Sequence, residues 1–105
     1  MPTLRVHHMV MPEHAEARAW YAARSVLAPL NFDRCVRAAL EEIATHPTSH
    51  AIWRSIFRRC RLAGFPYLAI FHCDSAFVSV LALVHHRRDS GRTLAMVRDR
   101  LDLFS

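Results

Sequence analysis

Apolar and polar side chains alternate over the first ten positions. Leu4, Val6, His8 and Val10 fall on one parity and Thr3, Arg5, His7 and Met9 on the other. A period of two predicts a β-strand over residues 3–10. The pattern then changes: Pro12 suits the first turn of a helix, and Glu13 and Glu16 sit favourably near its positive end. A helix is therefore expected to about Ser25, with Ala15, Ala19, Ala22, Ala23 and Val26 as a narrow packing stripe and Trp20 and Tyr21 covering apolar surface beside it. Phe32, Val36, Ala39, Leu40 and Ile43 recur at steps of three and four, which predicts a second, amphipathic helix over residues 29–45. His46–Pro47 closes it, because the residue before a proline disfavours helical geometry. The short gap between the two helices argues for an antiparallel hairpin.

From Ala51 onward the chain reads as strands. Residues 52–62 predict one strand, residues 65–73 a second after an Ala63–Gly64 turn, and residues 76–86 a third after the tight turn at Asp74–Ser75. The last two are apolar on both faces, as central strands covered from each side are. On the strand over 52–62 both parities mix apolar with basic residues, and a bulge near Arg58 would reconcile them. Leu94, Val97, Leu101 and Phe104 predict a final short helix beginning near Gly91. The expected order is β-α-α-β-β-β-α, with helices and strands segregated, which is the α+β class. At 105 residues the chain has room for a single domain, 1–105.

Charge changes the picture more than composition does. Residues 1–42 hold five arginines and five acids; residues 43–105 hold nine arginines against Asp74, Asp89, Asp99 and Asp102, which accounts for the whole net charge of +5. Arg54, Arg58, Arg59 and Arg61 lie in a stretch from Glu42 to Asp74 that contains no acid. Such a concentration implies an anionic partner, either nucleic acid or an acidic protein segment. The three cysteines have no CxxC spacing and read as buried free thiols. Nothing among His72, Cys73, His85 and His86 has zinc-ligand spacing, two glycines cannot build a phosphate loop, and no metal or cofactor is expected. The longest near-apolar run, residues 76–84, is far too short to span a bilayer, and the segment MPTLRVHHMV has no apolar secretory core, so a cytoplasmic protein without a membrane partner is expected.

The order of elements, with the run RRCRLAGFPYLAIFHCDSAFVSVLALVHHRRD, resembles the RelE/ParE toxin superfamily, and its plasmid-stabilisation branch in particular. The features that carry the resemblance are AWYAARS in the first helix, IATHP ending the second, GFPY opening a strand, an acid-containing hairpin, and VHHRRD closing the next strand. It implies an antiparallel sheet backed by the N-terminal helical hairpin, and a type II toxin neutralised by a cognate antitoxin that wraps it with an acidic segment as a hetero-oligomer. Some relatives cut mRNA on the ribosome and others inhibit DNA gyrase, so the resemblance leaves the activity open. In the nuclease branch a catalytic arginine follows the aromatic that opens a strand; here that place is taken by Pro66, and residues 89–105 contain no tyrosine to match the C-terminal catalytic one. These departures favour a gyrase inhibitor. If the chain is a ribonuclease, His85, His86, Arg87 and Arg88 supply the acid, base and phosphate-binding groups that the reaction needs. Arg54, Arg58, Arg59, Arg61, Arg98 and Arg100 are the candidates for binding a partner or nucleic acid. A degenerate toxin that retains only antitoxin binding is the third possibility. Tyr67, Trp20, Tyr21 and Trp53 read chiefly as packing residues.

Overall fold

The computed structural model describes residues 2–104. Its elements are β1 (Thr3–Val6), α1 (Val10–Ala22), α2 (Ala28–Thr45), a 3-10 turn (Pro47–Ser49), β2 (Ile52–Arg54), β3 (Phe57–Arg61), β4 (Tyr67–Cys73), β5 (Phe77–His85) and α3 (Ser90–Asp102). The strands form one sheet in the order β1-β5-β4-β3-β2. The class is α+β. Helices α1 and α2 pack on one face, where Val10, Ala17, Phe32 and Ile43 meet Cys60, Phe71, Val78, Val80 and Leu83. On the other face α3 brings Val97 and Leu101 against Phe57, Leu68, Ile70, Leu81 and Val84. That two-sided burial explains why β4 and β5 carry apolar residues on both parities. No helix among the described residues is long and apolar enough to cross a membrane.

The expected strand over residues 52–62 is instead two strands, so the order is β-α-α-β-β-β-β-α. In the β3–β4 ladder Arg58 lies opposite Phe71 and Arg61 opposite Leu68. A strand continued backwards from Phe57 would run past the end of β4 at Cys73 and lose its partner. The chain folds back at Ser55–Ile56 and pairs β2 with β3. Ser55 adopts φ 54°, the left-handed conformation that so tight a reversal needs. No bulge is needed at Arg58; the irregularity in this hairpin lies between Ile52 and Arg54.

The sheet is also mixed rather than wholly antiparallel: β1 runs parallel to β5, with Thr3 opposite Phe77 and Val6 opposite Val80. The helical hairpin carries the chain across one face, from β1 at one edge to β2 at the other, and three successive reversals bring β5 back alongside β1. The first strand stops at Val6, short of Val10, for a reason found in β5. Ile70 pairs with Ala82 but Phe71 with Val80, so Leu81 is an extra residue, a β-bulge. His7 N still donates to Val80 O at 2.8 Å. Beyond it the bulge breaks the ladder, and side chains take over its backbone groups: Arg100 Nη1 donates to Leu81 O at 2.8 Å and Glu13 Oε1 accepts from Leu83 N at 3.1 Å.

Glu13 also reverses the expected face of α1. Ala15, Ala19, Ala22, Ala23 and Val26 are exposed; the inward stripe is Val10, Glu13, Ala17 and Tyr21, again at steps of three and four. His14 and Arg18 turn towards α2, where both meet the Asp33 carboxylate, at 2.9 and 3.0 Å. Trp20 is 53% exposed, under the Arg24 guanidinium at 3.7 Å. At the other end of the chain, Asp89 caps α3 by accepting from Arg92 N at 3.0 Å.

Candidate functional site: a basic sheet face and an aromatic cavity

Alternation along β3 sorts the arginine cluster. Phe57 belongs to the core beneath α3 and Cys60 to the core beneath the hairpin, so Arg59 and Arg61 project on the α3 face and Arg58 on the opposite one. Arg59 and Arg61 are exposed and form no ion pair among the described residues. Arg54, at the end of β2, is likewise exposed and unpaired, 6.0 Å from the centre of the Trp53 ring. Arg58 is held differently: its Nη1 donates to His50 O at 2.7 Å and ties β3 to the segment after α2. Arg98 is exposed on α3. Arg100 is not available to a partner, because it forms a bidentate ion pair with Glu13 at 3.0 and 3.1 Å, and its side chain is 11% exposed. The six candidate arginines thus divide into Arg54, Arg59, Arg61 and Arg98, free for a partner, and Arg58 and Arg100, which serve the fold.

The histidine–arginine run at the end of β5 divides as well. His86 turns back onto the loop before β4, its Nδ1 lying 3.1 Å from Pro66 O. His85 Nδ1 accepts from Arg87 N at 3.1 Å, which leaves the proton of the neutral ring on Nε2. Burial, with the charges of His86 and Arg87, holds His85 below the ordinary histidine range. Its ring stands edge-on to Tyr67 at 5.3 Å. These two rings line a cavity of about 420 Å³ between α1 and the β4–β5 end, together with Glu13, Glu16, Trp20, Tyr21 and Arg88. Arg88 is exposed and unpaired among the described residues, whereas Arg87 does not line the cavity. Tyr67 is a poor proton donor: burial, and then the Glu16 charge, push its hydroxyl above the usual tyrosine range.

Sequence reasoning missed Glu16 and the role of Tyr67 in this cavity. It also read Glu13 only as a favourable charge at the start of a helix. A helical wheel drawn on residues 10, 13, 17 and 21 would have turned Glu13 towards the sheet; Glu16 lies off that stripe and is exposed. The thiols follow expectation only in part: Cys60 is buried, which pushes its pKa up, while Cys35 and Cys73 are half-buried. Among the described residues no cluster of three or more histidine, cysteine or acidic side chains could hold a metal ion.

Four titrating groups give the chain a signed pH dependence. Burial, His8 and Arg100 lower the pKa of His7, and His85 is lowered as described. Asp33 is lowered although burial opposes it, because the nearby Arg18 and His14 outweigh the burial. Asp74 is lowered by hydrogen bonds from Phe77 N and Ala76 N. In every case the unfolded chain binds protons more readily than the folded one, so stability is full at neutral pH and is lost on acidification. The melting temperature should begin to fall below the ordinary histidine pKa of about 6.5 and fall again below the carboxylate range. A His7→Gln, His85→Gln double variant should lose the first step and keep the second; a first step of undiminished size would remove the assignment.

No protein-family model and no curated protein sequence matches this chain.

Proposed function

We propose that this chain is the toxin half of a type II toxin–antitoxin pair, of the RelE/ParE kind, silenced by an acidic antitoxin segment and acting on DNA gyrase by binding. The observation that carries the reading is the pair Arg59 and Arg61, exposed side by side on one sheet face with no acid paired to them among the described residues. An α+β sheet with an N-terminal helical hairpin is the frame such a toxin needs, and a binding toxin needs no acid or base on it. Expression of the chain alone should arrest growth, and an adjacent small acidic open reading frame should relieve the arrest. Purified protein should inhibit gyrase supercoiling while mRNA ends remain uncut. Growth without arrest would leave only a degenerate toxin, and codon-positioned cuts with normal supercoiling would overturn the choice of gyrase.

Antitoxin binding should weaken as salt rises, because exposed charges are screened within about 8–10 Å at 0.10–0.15 M. The Arg59→Ala, Arg61→Ala variant should bind about tenfold more weakly, mainly through a slower on-rate, and show a flatter salt dependence. Salt-insensitive binding would point to an apolar interface instead.

One observation favours a second reading, an RNA endonuclease. His85, Arg88 and Tyr67 share a cavity, and a neutral imidazole beside a guanidinium is a proton carrier next to a phosphate-binding group. The mRNA-end mapping above decides between the two.

A further inference from the structure

We propose that the cavity between α1 and the β4–β5 end is a binding site for a guanine nucleotide, with the Watson–Crick edge of the base against Glu16 and His85 and the phosphate at Arg88. This goes beyond the toxin reading and stands without it.

The cavity exists because β1 ends opposite Val80: on the side of β5 away from β4 no strand runs beside residues 83–85, and α1 roofs the space. At about 420 Å³ it lies within the roughly 300–1,000 Å³ usual for small-molecule sites. Its walls are Trp20, Tyr21, Tyr67 and the His85 ring, which suits a planar heterocycle. Among its charged groups Glu13 is closed off by Arg100 and Leu83 N. That leaves Glu16 and Arg88, both exposed, without an ion pair between them or with any other described residue.

Those two charges select the guest. A bare cation would be repelled by Arg88 and a bare anion by Glu16; a neutral ring bearing one anionic group satisfies both. A carboxylate only accepts hydrogen bonds. Guanine presents two adjacent donors, N1–H and the N2 amino group, with the O6 acceptor beside them. Adenine and cytosine each present one amino donor next to a ring-nitrogen acceptor, which a carboxylate would face unfavourably. His85, with Nδ1 occupied by Arg87 N, has Nε2–H to offer O6. One donor and two acceptors lining the same cavity match the groups of the guanine edge, and the Arg88 guanidinium matches a phosphate.

The test is a titration of the intact chain carrying Trp53→Phe, so that tryptophan fluorescence reports Trp20 alone. 3′-GMP should give a saturable change at least about tenfold tighter than 3′-AMP, the scale of one bidentate base contact. Glu16→Gln should abolish that preference, and Arg88→Ala should weaken 3′-GMP while leaving guanosine unchanged. Both positions are exposed, so an unaltered melting temperature accompanies either result. No saturable response at millimolar 3′-GMP, equal binding of 3′-AMP, the same response to inorganic phosphate alone, or a preference that survives Glu16→Gln would each overturn the proposal.

Discussion

Replacing Glu13 by alanine is expected to destabilise the chain by about 3–5 kcal/mol, the scale of a buried ion pair broken from one side. That is a large share of the roughly 5–15 kcal/mol that holds a typical domain together. Glu13 and Arg100 are 14% and 11% exposed, so the guanidinium left behind would sit largely out of water without a counter-charge. The loss goes further than the pair. Leu83 N would lose its acceptor, and Arg100 would lose the carboxylate that holds it on Leu81 O. Buried ion pairs can often be exchanged for apolar side chains at little cost. Here the exchange should fail, because Glu13→Leu with Arg100→Met would leave two bulge backbone groups unpaired, at about 1–3 kcal/mol each. Urea unfolding of Glu13→Ala and of the double variant measures this. A double variant as stable as the parent would show that the bulge does not depend on the clamp, and a cost below about 1 kcal/mol for Glu13→Ala would show that the pair itself is marginal.

The same clamp explains what could be read in advance and what could not. The face of α2 is legible because Phe32, Ala39 and Ile43 are apolar and nothing competes with them for the core. The face of α1 is not, because its inward positions include a glutamate whose partners are a bulge and an arginine some 70 and 87 residues away. No periodicity records a bulge in another strand. The split of residues 52–62 was hidden for a similar reason. Both parities mix apolar and polar residues through Ser55, so no change of pattern marks the turn, and only the length of β4 decides that the ladder must end and the chain turn back.

The candidate site was half legible. The surplus of arginine over acids is a property of composition, and it located Arg54, Arg59 and Arg61. Which arginines are free is a property of packing: Arg58 and Arg59 are neighbours in the chain, yet alternation sends one to backbone carbonyls and the other to solvent. Likewise His85 and His86 look equivalent in the run VHHRRD, but only His85 borders the cavity. The Glu16, Tyr67 and Arg88 grouping joins three distant parts of the chain, and no local motif announces it.

The second large effect is expected at Phe32, which is fully buried at the centre of the hairpin face. Its ring lies 5.1–5.5 Å from those of His14, Tyr21, Phe65 and Tyr67, edge-on to Phe65 and Tyr67 and stacked with His14. Phe32→Ala should cost about 3–5 kcal/mol, from lost transfer energy plus the void left behind. Phe32→Leu, which fills most of the space, should cost less but still lose the aromatic contacts, each worth about 0.5–1.5 kcal/mol. Two of the released rings, Tyr21 and Tyr67, line the cavity, so the change reaches the cavity walls as well as stability. Under conditions where Phe32→Leu stays folded, its 3′-GMP affinity should fall although Phe32 does not line the cavity, while the antitoxin binding proposed for Arg59 and Arg61 should be unchanged. Equal losses at both sites would mean that the whole fold has loosened. Intact affinity at both would mean that Tyr21 and Tyr67 are positioned without Phe32.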